Sequence, residues 1–119
     1  MKADKDIIDE VMGEMAINGT LTRSGDSYYP SDNVDLAEIE PALVERLSAR
    51  MNDEIWESSG KAVIHENDVT SRIEDGLERF GRMITDSCKK LGIKPSKMDV
   101  LKEQLKSRLD ERYLKHLSD

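Results

Sequence analysis

One cysteine, one phenylalanine, one tryptophan and three prolines are all that this chain of 119 residues holds of those types. Cys88 has no partner for an internal disulfide, so no disulfide scaffold is built in and nothing marks the chain for an oxidising compartment. The expected location is cytoplasmic. Aromatics are 4% of the residues and hydrophobics 37%, below the roughly 45–50% apolar content of an average domain, so the expected core is thin. No apolar run approaches the ~20 residues that cross a bilayer. Residues 1–14 interleave Asp4, Asp6, Asp9 and Glu10 with their apolar positions, unlike the basic start and unbroken apolar run of a signal peptide. Neither secretion nor membrane insertion is expected. The length fits a single domain of about 100–150 residues and leaves no room for a two-domain enzyme.

What is present is helical periodicity. Ile7, Ile8, Val11, Met12 and Met15 recur at helical spacing before the stop signal Asn18-Gly19, which predicts a helix over about 3–17. Thr20 to Pro30 is poor in helix formers and rich in Thr and Tyr around Gly25-Asp26, the pattern of a β-hairpin. Leu36, Ile39, Leu43, Leu47, Met51 and Ile55 predict a second helix over about 38–59, starting between Asp35 and Pro41 because proline is tolerated in a first turn, with Gly60 as the stop; the alternative is a start near Glu40 after a separate turn over 35–40. Ala62 to His65 is an apolar link able to pair as a strand. Asn67 or Asp68 caps a third helix over about 68–91, ended by Gly92. Its apolar positions Val69, Ile73, Leu77, Phe80, Ile84, Cys88 and Leu91 span 22 residues in six steps. That mean of about 3.67 exceeds the 3.5 of a left-handed coiled coil, so the helix belongs in a bundle. Ser96 and Asp99 form an approximate capping box for a fourth helix over about 97–117, whose stripe includes Met98, Leu101, Leu105 and Leu109. The expected fold is mainly α: one four-helix, bundle-like domain spanning 1–119, with the hairpin between helices one and two.

No catalytic constellation emerges. Cys88 sits on the apolar stripe of helix three, as a small buried hydrophobe does. His65 and His116 read as surface or capping residues. Gly76 and Gly81 have the spacing of a phosphate loop, but Arg82 and Met83 follow where Lys and Ser or Thr are required, so the glycines are assigned to close helix packing. His65-Glu66-Asn67-Asp68 places potential metal ligands consecutively, where they do not converge. Asp32-Asn33-Val34-Asp35 lacks the glycine and distal glutamate of a calcium loop. No cofactor or metal is expected, and the chain is not expected to be an enzyme.

Charge is the informative feature. The formal net charge of -7 is a difference between two halves: residues 1–60 carry 5 basic and 14 acidic side chains, residues 61–119 carry 13 and 11. Nine basic residues, Arg79, Arg82, Lys89, Lys90, Lys94, Lys97, Lys102, Lys106 and Arg108, stand against Asp86, Asp99 and Glu103, a net of +6 within thirty positions. Such a region meets either an acidic protein surface, a second copy included, or nucleic-acid phosphates. The expected role is a non-enzymatic protein-binding module of regulatory or adaptor type, self-associating as a homodimer through amphipathic helices. The alternative is nucleic-acid binding by residues 79–108, helped by Arg23, Tyr28 and Tyr29 of the hairpin.

Two local resemblances bear on that alternative. Helix one, Gly19 and the hairpin ending in Tyr28-Tyr29-Pro30 resemble the last helix and wing of a winged-helix domain, which implies a DNA-reading helix. The two preceding helices of that fold are missing, and Asp4, Asp6, Asp9, Glu10 and Glu14 would repel DNA from the recognition surface. Gly60-Lys61 followed by Val63 to Val69 is similar to the second loop of histone-fold proteins over about ten residues. Pro41 interrupts the central helix that fold requires, and helix three is about twice the expected length. Neither resemblance amounts to a family assignment.

Overall fold

The computed structural model describes the backbone of residues 3–57 and 66–118 and the side chains of residues 3–55 and 71–111. In chain order the elements are α1 (Asp4–Ile17), β1 (Leu21–Ser24), β2 (Ser27–Pro30), α2 (Leu36–Glu57), α3 (Glu66–Leu91) and α4 (Met98–Ser118). The expected mainly α, four-helix fold with a hairpin after the first helix is the fold adopted. The proposed strand at Ala62–His65 and the Gly60 stop lie outside the described residues.

Local chemistry explains the boundaries. At the end of α1, Gly19 takes φ 90°, Thr20 N–H donates to Met15 C=O and Gly19 N–H to Ala16 C=O. These two bonds satisfy carbonyls the last turn leaves open, and the left-handed residue between them favours glycine. Gly92 closes α3 in the same way, with Ile93 N–H bonded to Cys88 C=O. β1 pairs with β2 from Leu21↔Pro30 to Ser24↔Ser27 around Gly25-Asp26, where Gly25 supplies the positive φ of 61° that a tight two-residue turn needs.

The starts of α2, α3 and α4 lie within two residues of those expected. α2 begins at Leu36, because the Asp35 carboxylate accepts the Ala37 N–H as an N-cap. Pro41 therefore lies inside the helix, one turn in, where the bond it cannot donate leaves a single carbonyl for solvent. α3 begins at Glu66, so Asn67 and Asp68 fall in its first turn instead of preceding it. The expected Ser96–Asp99 capping box does not form. Ser96 N–H is held instead by the Glu40 carboxylate of α2 at 2.8 Å, and the residue ahead of α4 is Lys97, whose carbonyl takes the Val100 and Leu101 N–H groups.

The core is one cluster drawn from all four helices and β1. Ile7, Val11 and Met15 of α1 meet Leu43, Leu47 and Met51 of α2, Phe80, Ile84 and Cys88 of α3, and Leu101, Leu105 and Leu109 of α4. α2 runs back along α3, since Ile55 packs where α3 carries Gly76. A Cβ at Gly76 would overlap Ile55 Cδ1 and stand 2.9 Å from its Cγ1. The glycine is thus what brings the two helices together, as the expectation of close packing requires.

Candidate interaction surface on α3 and α4

The nine basic residues of the 79–108 region divide into two groups. Arg79 reaches Asp4 of α1 with Nε and Nη2, at 2.9 and 2.6 Å. Arg108 is bonded to Glu45 of α2. Arg50 bridges Glu10 and Glu14 of α1, and Arg46 stands 3.9 Å from Glu14. These four arginines fasten the bundle to its own acidic helices. By contrast Arg82, Lys89, Lys90, Lys94, Lys97, Lys102 and Lys106 hold no ion pair among the described residues. With Asp86, Asp99 and Glu103 between them, they leave a net of +4 over residues 82–106.

The helix period decides where these charges point. On α3, Phe80, Met83, Ile84, Ser87 and Cys88 are buried, while Glu78, Arg82, Thr85, Asp86, Lys89 and Lys90 are exposed. Arg82 flanks an open groove of about 530 Å3 between α3 and α4, with Gly81, Thr85, Met98 and Lys102 among its walls. Gly81 shapes the groove: a Cβ there would lie 3.0 Å from Lys102 Cε and 3.4 Å from Met98 Sδ. Lys102 is accordingly half-buried, with its Cε and Nζ over Gly81 of α3. Lys90 lines a different cleft of about 340 Å3, with Asp9, Met12, Asp26, Tyr28 and Tyr29. Lys94 lines a third of about 250 Å3, with Leu36, Glu40, Pro41 and Ile93. Lys89, Lys97 and Lys106 are exposed.

The hairpin residues are brought beside Lys90 but are mostly engaged. Arg23 lies over the Tyr28 ring, 5.9 Å from its centroid, and donates to Gly25 C=O at 3.0 Å. The Tyr28 hydroxyl lies against α1, 3.8 Å from where a Cβ of Gly13 would be. Only Tyr29, 54% exposed, presents its ring to solvent. The apolar stripes of α3 and α4, expected to serve a partner as well as a core, are directed into the core: Phe80, Ile84, Leu101 and Leu105 are at most 3% exposed.

Cys88 is fully buried, and burial followed by the nearby Glu40 charge raises its thiol from 9.0 to about 11. A thiol held protonated is a poor nucleophile. Two outcomes follow. Native protein at pH 8 should react with a thiol reagent at the rate of unfolding, not the rate of a free thiol; prompt stoichiometric labelling would contradict this burial. Because the folded chain keeps the proton to higher pH than the unfolded one, the thiol's contribution to stability is intact below about pH 9. It is lost as pH rises towards 11, on the order of 2 kcal/mol, and Cys88→Ala should remove that part of the alkaline decline. His65 lies outside the described residues, as does the side chain of His116.

No described helix is long and apolar enough to cross a membrane, and no cluster of metal-ligating side chains forms among the described residues. The chain matches no protein-family model, no curated protein and no solved structure.

Proposed function

We propose that this chain is a non-enzymatic protein-interaction module, regulatory or adaptor in role, that docks an acidic partner on the outer face of α3 and its junction with α4. The observation that carries the reading is the division of its cations. Four arginines, Arg46, Arg50, Arg79 and Arg108, are committed to internal carboxylates. Seven exposed or half-buried cations between Arg82 and Lys106 have no partner among the described residues. Unpaired like charges repel one another, so their concentration within residues 82–106 favours an external anion. The buried, protonated Cys88 supports a role without nucleophilic chemistry.

Wild-type chain should capture a partner from its native extract at low salt, and the triple reversal Lys89→Glu, Lys97→Glu, Lys106→Glu should lose it. All three side chains are exposed, so thermal stability should change by no more than about 0.5 kcal/mol for each substitution. Capture that survives the reversal would contradict this docking surface.

The lysine-rich junction also supports a second reading, a phosphodiester backbone as the anion. Fluorescence anisotropy with a ~20-nucleotide single strand and its duplex at about 50 mM salt separates the two. Tight binding that weakens with log salt and disappears in the triple reversal favours nucleic acid; no binding favours the protein partner.

A further inference from the structure

Along α3 one row of side chains at intervals of four reads Glu74, Glu78, Arg82, Asp86, Lys90, and Lys94 continues the spacing just past the helix end. All six are exposed, and none holds an ion pair among the described residues. Arg82 has a carboxylate four residues away on each side, at Glu78 and Asp86, yet is paired with neither.

The signs of this row are antisymmetric about position 84. Reflected through that point along the helix, Glu78 falls on Lys90 and Arg82 on Asp86. We infer that α3 docks antiparallel against α3 of a second copy across a two-fold axis near residue 84, with Glu78 meeting Lys90 and Arg82 meeting Asp86 in both directions. This rests on reading the chain as a protein-interaction module and names one partner as itself. A two-fold axis brings the same patch of each copy together, so the patch must be complementary to itself, as this row is. A parallel arrangement in register would set like against like. A nucleic-acid backbone would meet three carboxylates of the row.

The geometry suits helix on helix. Side chains at intervals of four form the ridge that packs against a like ridge at about -50° in the commonest class of helix crossing. The groove beside Arg82, floored by Gly81 and walled by Met98, offers space for the ridge of the other copy. A contact made of one charged ridge is smaller than the ~1,200 Å² of a stable interface, so the dimer is weak and rapidly exchanging.

Sedimentation velocity on the full chain, up to about 500 µM in about 50 mM salt, tests the pairing. Wild type should show a concentration-dependent rise towards dimer, with Kd between about 10 and 500 µM. Arg82→Asp should weaken association at least about tenfold, because the symmetry places two like-charge contacts at once. The double swap Arg82→Asp with Asp86→Arg, which restores every pair, should return Kd to within about threefold of wild type. Circular dichroism checks that each variant stays folded. A monomer at every concentration, an unaffected Arg82→Asp variant or a swap that fails to rescue would each overturn the inference. The double reversal Lys97→Glu, Lys106→Glu lies off α3, leaves the row intact and should still dimerise. Loss of dimer with partner capture retained therefore removes this inference alone.

Discussion

Replacing Phe80 with alanine should lower the free energy of unfolding by about 3 to 5 kcal/mol, the usual range for emptying a buried aromatic site. Total stability for a domain of this kind is about 5 to 15 kcal/mol, so the variant should be partly unfolded near 37 °C. The size follows from composition. With 4% aromatics, few rings are available to the core, and Phe80 is fully buried in one cluster with residues of α1, α2 and α4. Urea denaturation followed by circular dichroism measures it, and a loss under about 1 kcal/mol would mean that Phe80 is not packed at the centre.

Leucine at Gly76 should cost nearly as much, about 3 kcal/mol net. Glycine inside a helix is about 1 kcal/mol worse than alanine, so substitution gains local helix propensity. Against this, the first added carbon overlaps Ile55 Cδ1, and Ile55 is itself buried at 6% exposure. Forcing extra carbons into a filled contact typically costs about 1 to 3 kcal/mol, and a full leucine side chain lies at or beyond the upper end. The cause can be isolated by a second substitution. Ile55→Ala opens the space, so the double variant should lose less stability than the sum of the two singles, a coupling of about 1 kcal/mol or more. Strict additivity in urea titrations would show that Gly76 is not the point of closest approach between α2 and α3.

The sequence made the four helices legible because each carries an unbroken apolar stripe at steps of three and four, and Gly19 and Gly92 mark their ends as stops. The α4 start was legible to within one residue but its anchor was not: the Ser96 N–H is taken by the Glu40 carboxylate, 56 positions away, where Asp99 was expected. The same limit governs the surface. Summed charge located the basic stretch, but not which members are neutralised. Arg79 and Asp4 are 75 residues apart and Arg108 and Glu45 are 63 apart, distances over which only the fold decides contact. Apolar periodicity likewise does not distinguish a stripe that builds a core from one that meets a partner. The described apolar positions of α3 and α4 lie in or against the core, and the proposed interface uses charged ridges instead. Glu74, Glu78 and Asp86 were readable as a row at intervals of four, yet only their shared exposure and lack of partners sets them apart from ordinary helix-surface charges.

An interface made of charge and one made of apolar stripes respond oppositely to salt. Charges on an exposed surface are screened over about 10 Å at 0.1 M salt and over about 3 Å at 1 M, whereas apolar contacts hold or tighten. Sedimentation equilibrium of the wild-type chain from about 50 mM to about 500 mM salt therefore tests the central claim directly. Self-association through the α3 row should weaken at least about tenfold across that range. Association that is unchanged or strengthened by salt would contradict it and return the interface to the apolar faces of the helices.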